Sequence, residues 1–272
     1  MDYSRNFVSA WIDSLRIFIS SAYLSYVALF HWTRPTAYIA SKVLAPFAYM
    51  VFFLYLGTLA TGPGSGEFYL VGNAMQMAAL NGIFGVTMVV GRERSEGTLV
   101  YLVGSPTNRL PIFFGRALFN ILDGFFTVLI CFAWGLLLGL DLSETNLGSL
   151  ALVIFIVSIS TSGLGLLMGS ISLMTLNVMF INNVIFFLLL IFSGANLPPE
   201  RMPAWIRTVG AALPLTRGIQ SARLLVRGAA LAEVWPLLIG ELGIGILYGF
   251  VGFVVFHWFE EQARRQGMLD AF

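Results

Sequence analysis

The sequence predicts an all-α integral membrane protein with about six transmembrane helices. Of its 272 residues, 58% are hydrophobic and only 11% are charged, whereas a soluble domain carries about a quarter charged residues. Apolar stretches of the length that crosses a bilayer, about 20 residues, recur along the chain. Arginines gather in alternate connections between these stretches, as they do in multi-span membrane proteins. These observations favour a helical membrane bundle over a water-soluble fold.

Composition also bounds the partners of the chain. The net charge is +1, and no run of basic residues offers the electrostatic footprint of a nucleic-acid-binding protein. Cys131 is the only cysteine, so the chain can form neither an intrachain disulfide nor a cysteine metal cluster. The first residues lack the basic start, compact apolar stretch and cleavage site of a signal peptide. We therefore expect no nucleic-acid partner and an N-terminus that stays in the cytoplasm.

The pattern over residues 1–34 predicts an amphipathic helix that lies on the membrane surface. At about 100° per residue, apolar and polar side chains fall into opposite arcs. The apolar arc contains Val8, Trp11, Ile12, Leu15, Ile19 and Ala22, and the polar arc contains Ser9, Asp13, Arg16 and Ser20. A helix packed on the protein's own surface is the alternative. Arg34 and Pro35 end this segment, which divides the chain into an interfacial unit (1–34) and a membrane domain (35–272).

Six stretches of the membrane domain have the length and composition of transmembrane helices. The predicted spans are 38–60, 68–90, 110–139, 148–174, 178–197 and 234–258. Small residues at helical spacing predict close helix packing in the fourth and sixth spans. They are Ser158, Ser162, Gly165 and Gly169 in the fourth span, and Gly245, Gly249 and Gly252 in the sixth.

The distribution of arginine predicts that both termini are cytoplasmic. The connections at 61–67 and 140–147 contain neither Lys nor Arg, which is typical of connections on the outside. The arginines that this orientation places on the cytoplasmic side are Arg5, Arg16, Arg34, Arg92, Arg94, Arg109, Arg264 and Arg265.

One external segment, 198–233, contradicts this charge rule. Its arginines are Arg201, Arg207, Arg217, Arg223 and Arg227, and its prolines are Pro198, Pro199, Pro203 and Pro214. Proline ends or kinks helices, and the residues between the prolines are largely apolar. The segment therefore predicts short broken helices that re-enter the membrane from the external face.

A polar stripe runs along the predicted third span. Arg116, Asn120, Asp123 and Thr127 are spaced so that they share one helix face. Because a charge in the membrane centre is costly, Asp123 should face the protein interior or a wet cavity. Arg116 lies two turns away, so we expect the partner of Asp123 on another helix or through a water. The stripe either lines a translocation path or moving helix interface, or is a static contact that holds the bundle together.

The sequence offers little for catalysis. Lys42 is the only lysine, and no glycine loop that would cradle phosphates precedes it. His31 and His257 stand without a second ligand at metal-binding spacing. No nucleophile elbow or pair of carboxylates is visible. We expect no enzymatic activity, no metal and no cofactor in this chain.

Two motifs resemble the type-2 permease family of ABC exporters. The first is the charged stretch Gly91-Arg92-Glu93-Arg94-Ser95-Glu96-Gly97-Thr98-Leu99, followed by Tyr101, Leu102, Ser105-Pro106 and Gly115-Arg116. The second comprises Ser193-Gly194, Pro198, Pro203-x-Trp205, Pro214-Leu215-Thr216 and Arg223. Their order and the number of spans extend the resemblance over nearly the whole chain.

The first motif implies a cytoplasmic coupling helix between spans 2 and 3 that docks on a separate ATPase subunit. The implied coupling residues are Arg92, Glu93, Arg94, Glu96, Gly97, Thr98, Leu99, Tyr101 and Leu102. Charged side chains there offer hydrogen bonds to a partner, and Leu99, Tyr101 and Leu102 offer an apolar face. A solvated loop whose charges only fix the topology is the alternative. The second motif implies external re-entrant helices between spans 5 and 6, with Pro198, Pro203, Trp205, Pro214 and Arg223 as their marker residues.

The resemblance further implies the working assembly and its task. Two permease chains, expected to be identical, would pair with two ATPase subunits that bind ATP and Mg²⁺, in a bacterial inner membrane. Alternating access would export an amphiphilic substrate such as a drug, antibiotic, lipid or lipid-linked glycan. The alternatives are an ion-coupled secondary transporter, which should show related halves and several membrane carboxylates, and a membrane-embedded enzyme, which should show clustered titratable groups.

Overall fold

A computed structural model describes residues 14–24, 27, 35–88, 110–172 and 177–265. Regular structure in these residues is helical throughout, which confirms the all-α class. The α-helices are α1 (14–24), α2 (Pro35–Ile39), α3 (Ala45–Thr61), α4 (Gly66–Leu80), α5 (Leu110–Leu137), α6 (Leu147–Ser172), α7 (Val178–Phe192), α8 (Ala204–Ala212), α9 (Thr216–Val226) and α10 (Leu231–Arg265). Two π turns, Ala40–Leu44 and Asn81–Gly85, and two 3₁₀ turns, Pro63–Ser65 and Pro199–Arg201, complete the order.

Four helical stretches of the described residues are long and apolar enough to cross a membrane. They are Thr36–Thr61, Ala117–Leu137, Leu147–Ser172 and Leu231–Phe259, and they correspond to the first, third, fourth and sixth predicted spans. The fifth predicted span is shorter in the structure, because α7 has only 15 residues. The second predicted span is helical through α4 and the π turn that follows, but it is more polar than the four stretches named above. The count of six spans therefore stays a prediction.

The centre of the bundle is formed by α4 and α6. Every residue of α4 from Tyr69 to Ala79 is buried, and α6 packs along α10 at very short range. A Cβ atom added to Gly245 would lie 2.9 Å from Cβ of Ser160, and one added to Gly163 would overlap the Gly245 carbonyl. Ser170 adds an interhelical hydrogen bond of 2.7 Å from its Oγ to the Gly252 carbonyl. The predicted close packing of spans four and six is thus confirmed.

The helix α1 packs on the start of α5 through one side only. A Cβ atom added to Gly115 would lie 3.1 Å from Cβ of Ser21 and would overlap the Phe18 carbonyl. Leu15 and Ile19, from the predicted apolar arc, remain exposed. An exposed apolar arc is what a helix on a membrane surface requires, and the division into 1–34 and 35–272 stays a prediction.

The segment after α7 is folded into short helices against the bundle. Pro203 precedes α8, and Pro214 lies in the turn that separates α8 from α9. The helix α9 buries most of its residues, including Ile219, Ala222 and Leu225. The breaks fall at the prolines because proline cannot continue a preceding helix. The re-entry of these helices into a membrane stays a prediction.

Candidate functional site

The predicted coupling segment lies outside the described residues. It contains Arg92, Glu93, Arg94, Glu96, Gly97, Thr98, Leu99, Tyr101 and Leu102. The structure describes both of its flanks: helical residues up to position 88 after α4, and the start of α5 at Leu110. The segment therefore joins two helices that pack against each other in the bundle.

Asp123, on α5, lies in a cluster of polar side chains from three helical segments. Tyr38 Oη donates a hydrogen bond of 2.6 Å to Asp123 Oδ1. Lys42 Nζ donates to Asp123 Oδ2 and also to Asn81 Oδ1. Both carboxylate oxygens of Asp123 therefore have partners. We call Tyr38, Lys42, Asn81 and Asp123 the charge cluster.

The charge cluster confirms that Asp123 faces the protein and finds its partner on another helix. The side chains of Lys42 and Asp123 are 19% and 12% exposed, respectively. Removing one partner from a buried ion pair costs about 3–5 kcal/mol, because the other charge is left unpaired. Sequence reasoning missed Lys42 as this partner, although Lys42 is the only charged residue of the first predicted span.

Two π turns meet at the charge cluster. Lys42 lies within the first π turn, and Asn81 is the first residue of the second. Such wide turns are rare and are frequent at functional sites. Trp134 Nε1 of α5 donates a hydrogen bond of 3.2 Å to the Val43 carbonyl in the first π turn. The first π turn is thus tied to α5 at two points.

Two other members of the predicted polar stripe, Asn120 and Thr127, also lie within the helix bundle. Thr127 is buried, and its Oγ1 donates to the Asp123 carbonyl at 2.8 Å. Asn120 packs so closely on Gly85 that an added Cβ atom there would lie 2.5 Å from Asn120 Oδ1. The Arg116 side chain lies outside the described residues. The described part of the stripe therefore forms an interface between α5 and the two π turns.

A second polar site surrounds Arg223, on α9. The Nη1 atom of Arg223 donates to the Gly194 carbonyl at 2.9 Å, and Nη2 donates to the carbonyls of Ala195 at 2.9 Å and Phe68 at 3.0 Å. The guanidinium also stacks on the Phe68 ring, 3.5 Å from its centre. Arg223 thereby joins the end of α7 to the start of α4. A Cβ atom added to Gly72 would overlap the backbone carbonyl of Ala195 and lie 2.6 Å from Nη2, so this position needs glycine.

The electrostatics of Arg223 explain how a charge is tolerated there. Burial lowers the pKa of the guanidinium to about 9, and nearby Arg227 acts in the same direction. That pKa still leaves the group charged at neutral pH, and three carbonyl dipoles replace its hydration.

Other arginines of the predicted external segment also have protein acceptors. Arg227 Nε bonds Glu67 Oε1 at 3.0 Å on the surface. Arg217 Nη1 donates to the Ala211 carbonyl at 2.7 Å. The charge rule describes arginines in solvated connections, whereas Arg217, Arg223 and Arg227 hold the short helices to one another and to α4.

Glu241, on α10, holds the start of α9. Its Oε1 accepts a hydrogen bond of 2.6 Å from the Leu215 amide, and Oε2 accepts one of 3.3 Å from the Gly218 amide. Leu215 has a φ of 87°, a left-handed conformation that is rare for a residue with a side chain. A carboxylate at a helix N-terminus satisfies amide groups that have no partner within the helix. Glu241 therefore acts as a cap supplied from the following helix, α10, which the local sequence did not reveal.

The marker residues of the predicted re-entrant region do not converge on one site. Pro198 and Pro203 precede the 3₁₀ turn and α8, respectively, and Pro214 is buried before α9. Trp205 is largely exposed and contacts the Phe192 ring edge-on, with centroids 6.0 Å apart. Among the described residues, no group of three His, Cys, Asp or Glu side chains could hold a metal ion.

Comparison with known proteins relates the sequence of this chain to transporters. The model of the family described as ABC-2 type transporter matches residues 18–226. A probable multidrug ABC transporter permease of Escherichia coli K12, YbhR, is 29% identical over 196 residues, which are 70% of this chain and 52% of YbhR. A probable doxorubicin resistance ABC transporter permease protein of Mycobacterium tuberculosis, DrrC, is 24% identical over 242 residues, which are 86% of this chain and 87% of DrrC. The chain thus spans about half the length of YbhR.

Proposed function

The chain belongs to the ABC-2 type transporter family, and we propose that it is the permease subunit of an exporter driven by a separate ATPase. Its role as an ABC transporter permease follows from the family and from the two named relatives. The observation that carries the proposal is the family match over 18–226, which includes both motifs singled out in the sequence. It favours a permease over an ion-coupled secondary transporter or a membrane enzyme.

The proposed cargo is an amphiphilic drug, antibiotic, lipid or lipid-linked glycan that leaves the cell. The relatives named for multidrug transport and doxorubicin resistance support the drug class and the outward direction. The 24 phenylalanines offer surfaces for aromatic cargo, although such side chains also face lipid. Uptake of doxorubicin by inside-out vesicles that contain the complex would test this class directly.

We place the ATPase contact in the segment 92–105. This segment joins α4 and α5, so a push on it acts first on that helix pair. Closure of two ATPase subunits on ATP and Mg²⁺ would tilt the helices of two permease chains between an inward-open and an outward-open packing. The assembly proposed is two ATPases with two copies of this chain in the bacterial inner membrane, with both termini in the cytoplasm.

The docking proposal is tested by Glu93→Ala/Glu96→Ala. The variant should insert into the membrane normally. It should no longer co-purify with the ATPase, or should no longer support ATP-driven transport, because charge-assisted hydrogen bonds to the partner are gone. Glu144→Ala/Glu200→Ala is the matched control, since both of these carboxylates are exposed and lie on the proposed external side. Unchanged binding and transport in the Glu93/Glu96 variant would show that the ATPase docks elsewhere.

A further inference from the structure

We propose that the charge cluster is a clamp through which the first span follows the movement of α4 and α5. The inference rests on the proposed function, because the ATPase would supply the movement. Its distinguishing feature is Lys42, whose single ammonium group bonds Asn81 of the second π turn and Asp123 of α5 at once. Lys42 therefore contacts both helices that the proposed coupling segment joins.

The clamp lies within a few helical turns of the described helix ends that flank the coupling segment. Asn81 precedes residue 88 by about two helical turns, and Asp123 follows Leu110 by about three and a half turns. A relative displacement of α4 and α5 is delivered to the Lys42 ammonium before it reaches the external ends of the helices. Hydrogen bonds weaken steeply outside a narrow distance range. Lys42 cannot keep both acceptors if the two helices separate.

The first span is attached to α5 on both sides of this point. Tyr38 bonds Asp123 one turn before Lys42, and the Val43 carbonyl accepts from Trp134 just after it. The π turn that contains Lys42 and Val43 holds one more residue per turn than a regular α-helix does. Conversion of a π turn to α-helix rotates the continuing helix by about 100° and shifts it by about 1.5 Å. A change at the charge cluster can thus be passed on as a rotation of α3.

The clamp predicts that helix movement depends on nucleotide and on the ion pair. The reporter is a cysteine pair, Gly85→Cys/Asn120→Cys, in a Cys131→Ser background. Cβ of Asn120 lies 3.2 Å from a Cβ built at Gly85, slightly shorter than the roughly 3.5–4.5 Å found in disulfides, so a small outward shift brings the pair into bonding range. Oxidant-driven crosslinking is followed in vesicles that hold the complex of chain and ATPase, with ADP or a non-hydrolysable ATP analogue.

The crosslinking rate should differ by about fivefold or more between ADP and the ATP analogue. Fivefold is the lower end of the coupling usually found between two sites. Adding Lys42→Met/Asp123→Leu should reduce that difference to less than about twofold, because the charge pair is gone while its volume is largely kept. Lys42→Arg with Asp123 intact should retain part of the difference. This series has matched controls for charge and for volume.

The outcomes separate the clamp from the proposed function. If the complex forms and the cysteine pair responds equally to nucleotide with and without the ion pair, the clamp is refuted and the exporter proposal stands. If no ATPase associates with the parent chain, both fall. If the Lys42→Met/Asp123→Leu chain fails to insert, the Lys42→Arg variant decides alone. A nucleotide-dependent difference in crosslinking rate equal to that of the parent chain, despite the altered geometry, counts against the clamp. A smaller difference supports it.

Discussion

Replacing Arg223 with methionine removes the guanidinium that joins the end of α7 to the start of α4. Each hydrogen bond from a charged donor contributes about 1.5–3 kcal/mol, and a desolvated contact with an aromatic face about 2 kcal/mol. Three carbonyls and the Phe68 ring lose these contacts. Because neighbouring terms are not additive and methionine refills part of the volume, we expect a net loss of about 3–5 kcal/mol.

The assay is thermal unfolding of the detergent-solubilised chain, followed by the fraction that remains monodisperse after heating. For a chain of this size, 1 kcal/mol corresponds to about 2–4 °C, so Arg223→Met should lower Tm by about 6–20 °C. The Tm of Arg223→Lys should lie between those of the parent chain and Arg223→Met, since one ammonium group cannot reproduce the planar fork of the guanidinium.

Arg227→Met is the matched control for this prediction. It also removes a guanidinium, one helical turn from Arg223, but the partner Glu67 is exposed. Such a surface ion pair contributes about 0–1 kcal/mol to stability. A Tm change of at most about 4 °C is expected. Equal losses of Tm in the Arg223 and Arg227 variants would refute the reasoning, because burial and carbonyl contacts would then add nothing.

Two further predictions concern the cap on α9 and the orientation of the chain. Glu241→Gln should lower the free energy of unfolding by about 1–3 kcal/mol, because the NH₂ group of glutamine would face a backbone N–H that needs an acceptor. An unchanged Tm in the same thermal assay would contradict the capping role. Cysteines at Gly64 and Asn146 in a Cys131→Ser background should react from outside intact cells with an impermeant reagent, and one at Ser95 should not. Labelling of Ser95 from outside would reverse the proposed orientation.

The helical class and the four apolar spans could be predicted because hydropathy over about 20 residues is a local property. Close helix packing in spans four and six was also predictable, since small residues at helical spacing permit close approach, but the sequence did not show which helices they pack against. The predicted fifth span, 178–197, was too long. The chain turns after Phe192, where Arg223 binds the carbonyls of Gly194 and Ala195.

The sites depended on contacts that no local pattern encodes. The stripe indicated that Asp123 needs a partner, but Lys42 could be chosen only from the packing of the first span on α5. The capping role of Glu241 likewise depends on the tertiary placement of α9, whose first amides point toward the Glu241 carboxylate. The predicted external segment conflicts with the charge rule because that rule describes arginines in solvated connections, whereas Arg217, Arg223 and Arg227 bond to protein acceptors.

The polar, buried character of α4 has a consequence for how the protein is made. Asn73 and Gln76 are fully buried in the bundle, yet a lone helix that carries them gains less from entering lipid than its apolar neighbours do. Only the short 3₁₀ turn separates it from α3, and Thr61 Oγ1 of α3 donates to Tyr69 Oη at 3.2 Å. The translocon should therefore release α3 and α4 into the bilayer as a hairpin, with the apolar α3 carrying its polar neighbour until α6 arrives to enclose it.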